Sequence, residues 1–141
     1  MKLNVILILP YTFVTVPTMT ATSPCSNLLV PDASKPTGTM YSTRSSTYSS
    51  NMDCRWNLTS NAVIELLFYY FTTQSSADYV SVFDGDTTSA PLIGRFSGSS
   101  LPAPITSTST KLYVRFTSDG SSEYRGFIAR YRGIFIRRQD E

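Results

Sequence analysis

From Cys54 to Tyr131 this chain is a succession of short runs in which every second residue is apolar, each broken by Gly, Pro, Ser or Asp. Successive side chains of an extended strand point to opposite faces, so each run buries one face and leaves the other to water. Cys54, Trp56 and Leu58 share a face in the first run. Ile64, Leu66 and Phe68 share one in the next, with Val63, Glu65, Leu67 and Tyr69 opposite. Val80 and Val82 lead to Asp84-Gly85-Asp86, a hairpin-turn signal. Leu92-Ile93-Gly94-Arg95-Phe96 ends at Ser97-Gly98, Leu112, Val114 and Phe116 end at Ser118-Asp119-Gly120, and Phe127, Ala129 and Tyr131 close the series. No segment sustains a 3.6-residue period between caps, so helix content should be low. The pattern predicts an all-β domain, either two packed antiparallel sheets or a barrel. The stretch from Pro24 to Ser50, rich in Ser, Thr, Pro and Gly, reads as short edge strands and long turns.

Ahead of these runs, Lys2 precedes Leu3-Asn4-Val5-Ile6-Leu7-Ile8-Leu9, and a Pro-interrupted apolar stretch continues to Ala21. A basic start and an apolar middle indicate a secretory signal peptide over residues 1–21, with cleavage between Met19 and Ser23. Pro10 and Pro17 break the stretch too early for a membrane span, and no membrane insertion is expected. An N-terminal strand or a disordered arm is the alternative. Cys25 and Cys54 match no CxxC metal or redox spacing, and in an exported, extracellular chain they read as a structural disulfide. Closing a loop of that size removes about 3.5 kcal/mol of unfolded-chain entropy. Asn57-Leu58-Thr59 is the one N-glycosylation sequon. With Trp56 facing the core as an anchor, alternation turns Asn57 outward, where a glycan can be tolerated.

Composition then excludes several functions. The 141 residues fit one domain. Net charge is +2, and with 16% of residues charged there is no strong field to hold a nucleic acid. The absence of His removes the usual neutral-pH base, the commonest zinc ligand and the Ser/His/Asp and Cys/His arrangements. A carboxylate pair or a Lys base would survive that exclusion, yet no second carboxylate stands beside Glu65 to suggest a glycosidase. The chain is therefore read as a non-enzyme. Arg130 with Arg132 and Arg137 with Arg138 read as a solvated tail. Residues 133–141 either add a strand or fray. The 9 Tyr and 8 Phe exceed what one small core absorbs, so some of Tyr41, Tyr48, Tyr69, Tyr70, Tyr113 and Tyr124 should reach the surface.

The order of residues resembles the CUB domain family over Cys25 to about Tyr131. The pieces that carry the likeness are Cys54-Arg55-Trp56, Ile64-x-Leu66-x-Phe68-x-x-Phe71, Asp78-Tyr79-Val80-x-Val82-x-Asp84-Gly85, Leu92-Ile93-Gly94-Arg95-Phe96-x-Gly98, Leu112-x-Val114-x-Phe116-x-Ser118-Asp119, and Gly126-Phe127-x-Ala129-x-Tyr131. The resemblance implies a two-sheet antiparallel β-sandwich of jelly-roll-like topology over residues 25–132, spermadhesin-like in size, that recognises extracellular proteins. Glycan binding and self-association are the alternatives. Such domains commonly sit beside other modules, so the chain is also compatible with being a piece of a longer protein.

Two departures from the family pattern matter. A second cysteine pair usually links the loop before Asp78 to the position after Phe96; here these are Thr72 to Ala77 and Ser97. That loop is expected to be the more mobile part. Many CUB domains bind calcium through a Glu and two Asp, and the matching positions are Gln74, Asp78 and Asp119. Gln74 offers one oxygen but neither the charge nor the bidentate option of Glu. Tyr41 or Tyr48 would add a hydroxyl contact, while a turn-forming role for Asp78 and Asp119 needs no ion. Tyr41, Tyr48, Arg95, Arg115, Tyr124 and Arg125 are the candidate binding surface.

Overall fold

The computed structural model describes residues 19–21, 25, 29–32 and 37–135. Its strands are β1 (Met19–Ala21), β2 (Leu29–Asp32), β3 (Thr37–Tyr41), β4 (Asp53–Thr59), β5 (Val63–Thr72), β6 (Tyr79–Phe83), β7 (Leu92–Phe96), β8 (Ile105–Thr106), β9 (Lys111–Thr117) and β10 (Gly126–Ile134). They form two five-stranded sheets, in the orders β1-β4-β9-β6-β7 and β2-β3-β10-β5-β8. Every pairing is antiparallel. Among the described residues there is no helix long and apolar enough to cross a membrane.

The alternation in sequence becomes the core. Cys54, Trp56, Leu58, Val80, Val82, Leu112, Val114 and Phe116 face inward from one sheet, and Met40, Ile64, Leu66, Phe68, Phe71, Phe127, Ala129 and Tyr131 from the other; all are buried. Phe127 lies at the centre, with ring centroids of Phe116 at 5.5 Å, Trp56 and Phe68 at 5.9 Å and Phe71 at 6.4 Å. The three-residue step from Phe68 to Phe71 breaks the period of two for a structural reason. Ile128 is opposite Tyr70 and Ala129 opposite Phe68, so Tyr69 is an extra residue in a bulge. The bulge returns Phe71 to the inner face and leaves Tyr69 61% exposed.

The two ends of the core are tied by local chemistry. Cys25 and Cys54 form the expected disulfide, with Cα atoms 5.5 Å apart. Cys25 lies where the chain passes from β1 of one sheet to β2 of the other, so the bridge anchors that crossing to β4. Gly126 has φ of 78°, and a Cβ there would stand 1.7 Å from Ser42 Oγ. Ser42 needs that space, because its hydroxyl accepts from Phe127 N at 2.8 Å and its own N–H donates to Phe127 O at 3.1 Å.

One expectation is changed. Arg130 and Arg132 belong to β10 rather than to a solvated tail, and Arg132 pairs with Glu65 across the strands. Strand pairing continues past residue 132, with Gly133 opposite Ile64 and Ile134 opposite Val63, because those residues extend the β5 ladder. Residues 1–18 and 136–141, which hold most of the expected leader and tail, lie outside the described residues. Met19–Ala21, inside the window where the leader should end, pairs with Leu58, Asn57 and Trp56 of β4.

Candidate functional site

The β3–β4, β5–β6 and β9–β10 loops meet at one end of the sandwich around Asp78, which is fully buried. A buried carboxylate needs donors for both oxygens. Tyr48 Oη donates to Asp78 Oδ2 at 2.5 Å, and Asp119 N donates to Asp78 Oδ1 at 2.8 Å. The phenol oxygen also accepts from Gln74 N at 3.0 Å. Burial, and then the hydrogen bond to Asp78, push Tyr48 well above the ordinary phenol range, so it stays a donor. Of the two tyrosines left open by the sequence, Tyr48 is the one against Asp78. Its place on the binding surface is corrected: only 2% of it is exposed, since its ring packs edge-on against Phe116.

Gln74 and Asp119 close the outer side of this cluster. The Gln74 carboxamide faces two acceptors and is satisfied with its NH2 toward Ser121 O at 2.7 Å and Asp119 Oδ1 at 3.0 Å. Asp119 Oδ1 further accepts from Ser121 N at 2.9 Å and Ser121 Oγ at 3.3 Å. Among the described residues no group of three His, Cys, Asp or Glu is placed to hold a metal.

The loop from Thr72 to Ala77, expected to be the more mobile part for want of a disulfide, is tied to the end of β7. Ser97 Oγ donates to Gln74 O at 2.9 Å and accepts from Ser76 N at 2.8 Å. Thr73 N donates to Gly98 O at 2.8 Å, and Gly98 N to Thr73 Oγ1 at 3.1 Å. Hydrogen bonds thus connect the two places where the family's second bridge would sit.

The remaining candidates fall on two separate faces. On the outer face of the first sheet, Arg55 is opposite Arg115, Arg115 opposite Ser81, and Ser81 opposite Arg95. This puts three guanidinium groups in one row across four strands, about 14 Å wide at the usual strand spacing. Directly opposed like charges repel. Asp53 offsets that repulsion by accepting from Arg55 at 2.6 Å and Arg115 at 2.8 Å. The hydrogen bonds from Arg115 and Arg55 hold its carboxyl well below the usual range. Arg95 instead lies over the Tyr79 ring at 3.6 Å. Sequence reasoning missed Arg55, whose adjacency to Arg115 depends on the β4–β9 register.

Tyr41 and Arg125 come together elsewhere, on the outer face of the second sheet. Ile128 is opposite both Tyr41 and Tyr70, and these three, with Arg125, Thr43 and Ser45, line a groove of about 280 Å³. Arg44 stands over Tyr41 at 5.1 Å. Tyr124 is 42% exposed in the loop before β10, and its carbonyl accepts from Tyr48 N. The Asp84-Gly85-Asp86 turn serves its neighbours: Asp84 accepts from Thr108 Oγ1 at 2.7 Å, and Asp86 from Lys111 at 2.6 Å. The same turn covers Asn57. That side chain does point away from the core, but it is only partly exposed, donates to Asp86 O at 3.3 Å, and has a buried Oδ1 with no partner among the described residues.

Comparison with known proteins gives one family. The family model for the CUB domain matches residues 25–131. Over 93 residues the chain is 40% identical to cubilin of Sus scrofa, covering 60% of this chain and 3% of that protein. Over 88 residues it is 36% identical to tolloid-like protein 1 of Homo sapiens, covering 58% of this chain and 9% of the relative. The chain therefore spans only a small part of the length of these relatives. Among solved structures it resembles the MASP-1 CUB2 domain, described as bound to Ca²⁺, with TM-score 0.61, 26% identity, and coverage of 69% of this chain and 92% of that one.

Proposed function

The chain belongs to the CUB domain family, and from that premise we propose that it is a secreted, non-enzymatic extracellular module that binds an acidic surface of a protein partner. CUB domains are extracellular protein-interaction modules, which supports the class of function. The observation that carries the choice of surface is the row Arg55, Arg115 and Arg95 across the first sheet. Asp53 neutralises one of the three charges, and the row keeps net positive charge beside Tyr79 and Tyr113. A rigid sheet face that carries the Arg95 guanidinium over the Tyr79 ring, beside Arg55 and Arg115 held by Asp53, suits carboxylate recognition without loop ordering. Export through the 1–21 leader belongs to the same proposal.

Binding of the purified chain to immobilised acidic peptides, at increasing salt, tests this reading. Arg95→Glu should weaken binding by about tenfold, and affinity should fall with ionic strength. Binding that ignores both would reject the surface.

A second reading, glycan recognition, is favoured by the Tyr41, Tyr70 and Arg125 groove with its hydroxyl rim. Loss of saccharide binding on Arg125→Ala, with peptide binding intact, would support it. A stable dimer in light scattering would instead assign the work to self-association.

A further inference from the structure

We infer that the Gln74 carboxamide takes the position of a divalent cation at the loop end of the sandwich, so that this end is clasped without metal. The residues present do not fit calcium. Such an ion wants six to eight hard oxygens with substantial negative charge. Here three of the four carboxylate oxygens are already engaged: Asp78 Oδ2 by Tyr48, Asp78 Oδ1 by Asp119 N, and Asp119 Oδ1 by Ser121 and Gln74. Assigned in the orientation that satisfies the two acceptors it faces, the third side chain presents the positive end of its amide dipole to Asp119 Oδ1 and Ser121 O, at 3.0 and 2.7 Å. A cation between these groups would face the same two acceptors, and the NH2 and the ion cannot both occupy that place.

The amide also makes the connection an ion would make. Gln74 belongs to the β5–β6 loop, and Asp119 and Ser121 to the β9–β10 loop. One NH2 with two donors bridges them. Tyr48 fastens the inner side of the same junction, donating to Asp78 while accepting from Gln74 N. Order at this end of the domain is thus independent of calcium concentration. The inference does not depend on which face binds the partner.

Thermal unfolding and titration calorimetry of the wild-type chain test it, in chelator and in about 10 mM calcium, tenfold or more above the usual range of extracellular sites. No shift and no binding heat are expected. Saturable binding at or below about 1 mM would overturn the inference. Gln74→Glu replaces the donor by a carboxylate and should melt below wild type in chelator. Calcium should restore it with a dissociation constant of about 0.1 to 1 mM, and magnesium should not. A folded Gln74→Glu protein indifferent to calcium would equally overturn it. Should that variant fail to fold, Gln74→Met removes the donor at similar size. Amide exchange at Gly120 and Ser121 should then accelerate about tenfold or more, corresponding to about 1.4 kcal/mol; unchanged exchange would count against the clasp.

Discussion

Tyr48 and Asp78 stand 30 residues apart in the chain and are joined by a 2.5 Å hydrogen bond in the interior. The bond joins the β3–β4 loop to the start of β6, and Asp119 N completes the shell of the same carboxylate. Tyr48→Phe keeps the ring against Phe116 and removes only the hydroxyl. It should cost about 1.5 to 3 kcal/mol, because Asp78 stays buried and loses a charge-assisted partner. Urea unfolding at unchanged m-value measures that loss. A difference within error would mean that Asp78 Oδ2 finds another donor.

The disulfide carries a second prediction. Cys25→Ser frees the crossing between the sheets from β4 and leaves Cys54 as a lone thiol. A loss of about 2 to 5 kcal/mol is expected, with a corresponding fall in secreted yield. Export and unfolding midpoint equal to wild type would contradict the bridge's role.

Asp53 makes stability depend on acid. Its carboxyl is held below its ordinary value by Arg115 and Arg55, so the folded state favours the ionised form. That contribution is complete above the unfolded value near 3.8 and is lost as pH falls from there toward the lower folded value. Asp53 is 38% exposed, and screening keeps the gain to about 1 kcal/mol or less. Comparing wild type with Asp53→Asn from pH 6 to pH 3, which reaches the upper part of that titration, should show a difference that is constant down to about pH 4 and begins to shrink below it. A gap constant across that range would remove the titration from the account.

Ser97 provides the fourth. Its hydroxyl both donates to Gln74 O and accepts from Ser76 N, so Ser97→Ala should release the Thr72 to Ala77 loop at a cost of about 1 kcal/mol. In hydrogen exchange the wild-type loop should open more readily than β9, whose ladder is paired on both sides. Loop amides as protected as those of β9 would refute that ordering, and exchange at Ser76 unchanged in the variant would refute the fastening.

Which residues face the core was legible in the sequence, because alternation is a local property of an extended chain. Trp56, Phe116 and Phe127 are buried as their parity requires, whereas the bulge at Tyr69 emerges only from the register of β5 against β10. The cysteine count and the expectation of export were enough to pair Cys25 with Cys54. What touches what across the strands was not legible, since it depends on strand order and register. Only the fold selects Tyr48 over Tyr41 beside Asp78 and sends Tyr41 to a groove on the opposite sheet. Only the fold aligns Arg55, Arg115 and Arg95 from three separated strands, or lays the Asp84-to-Asp86 turn over Asn57. In Gln74 the sequence supplied a missing charge, whereas the surrounding acceptors decided which end of its amide faces Asp119.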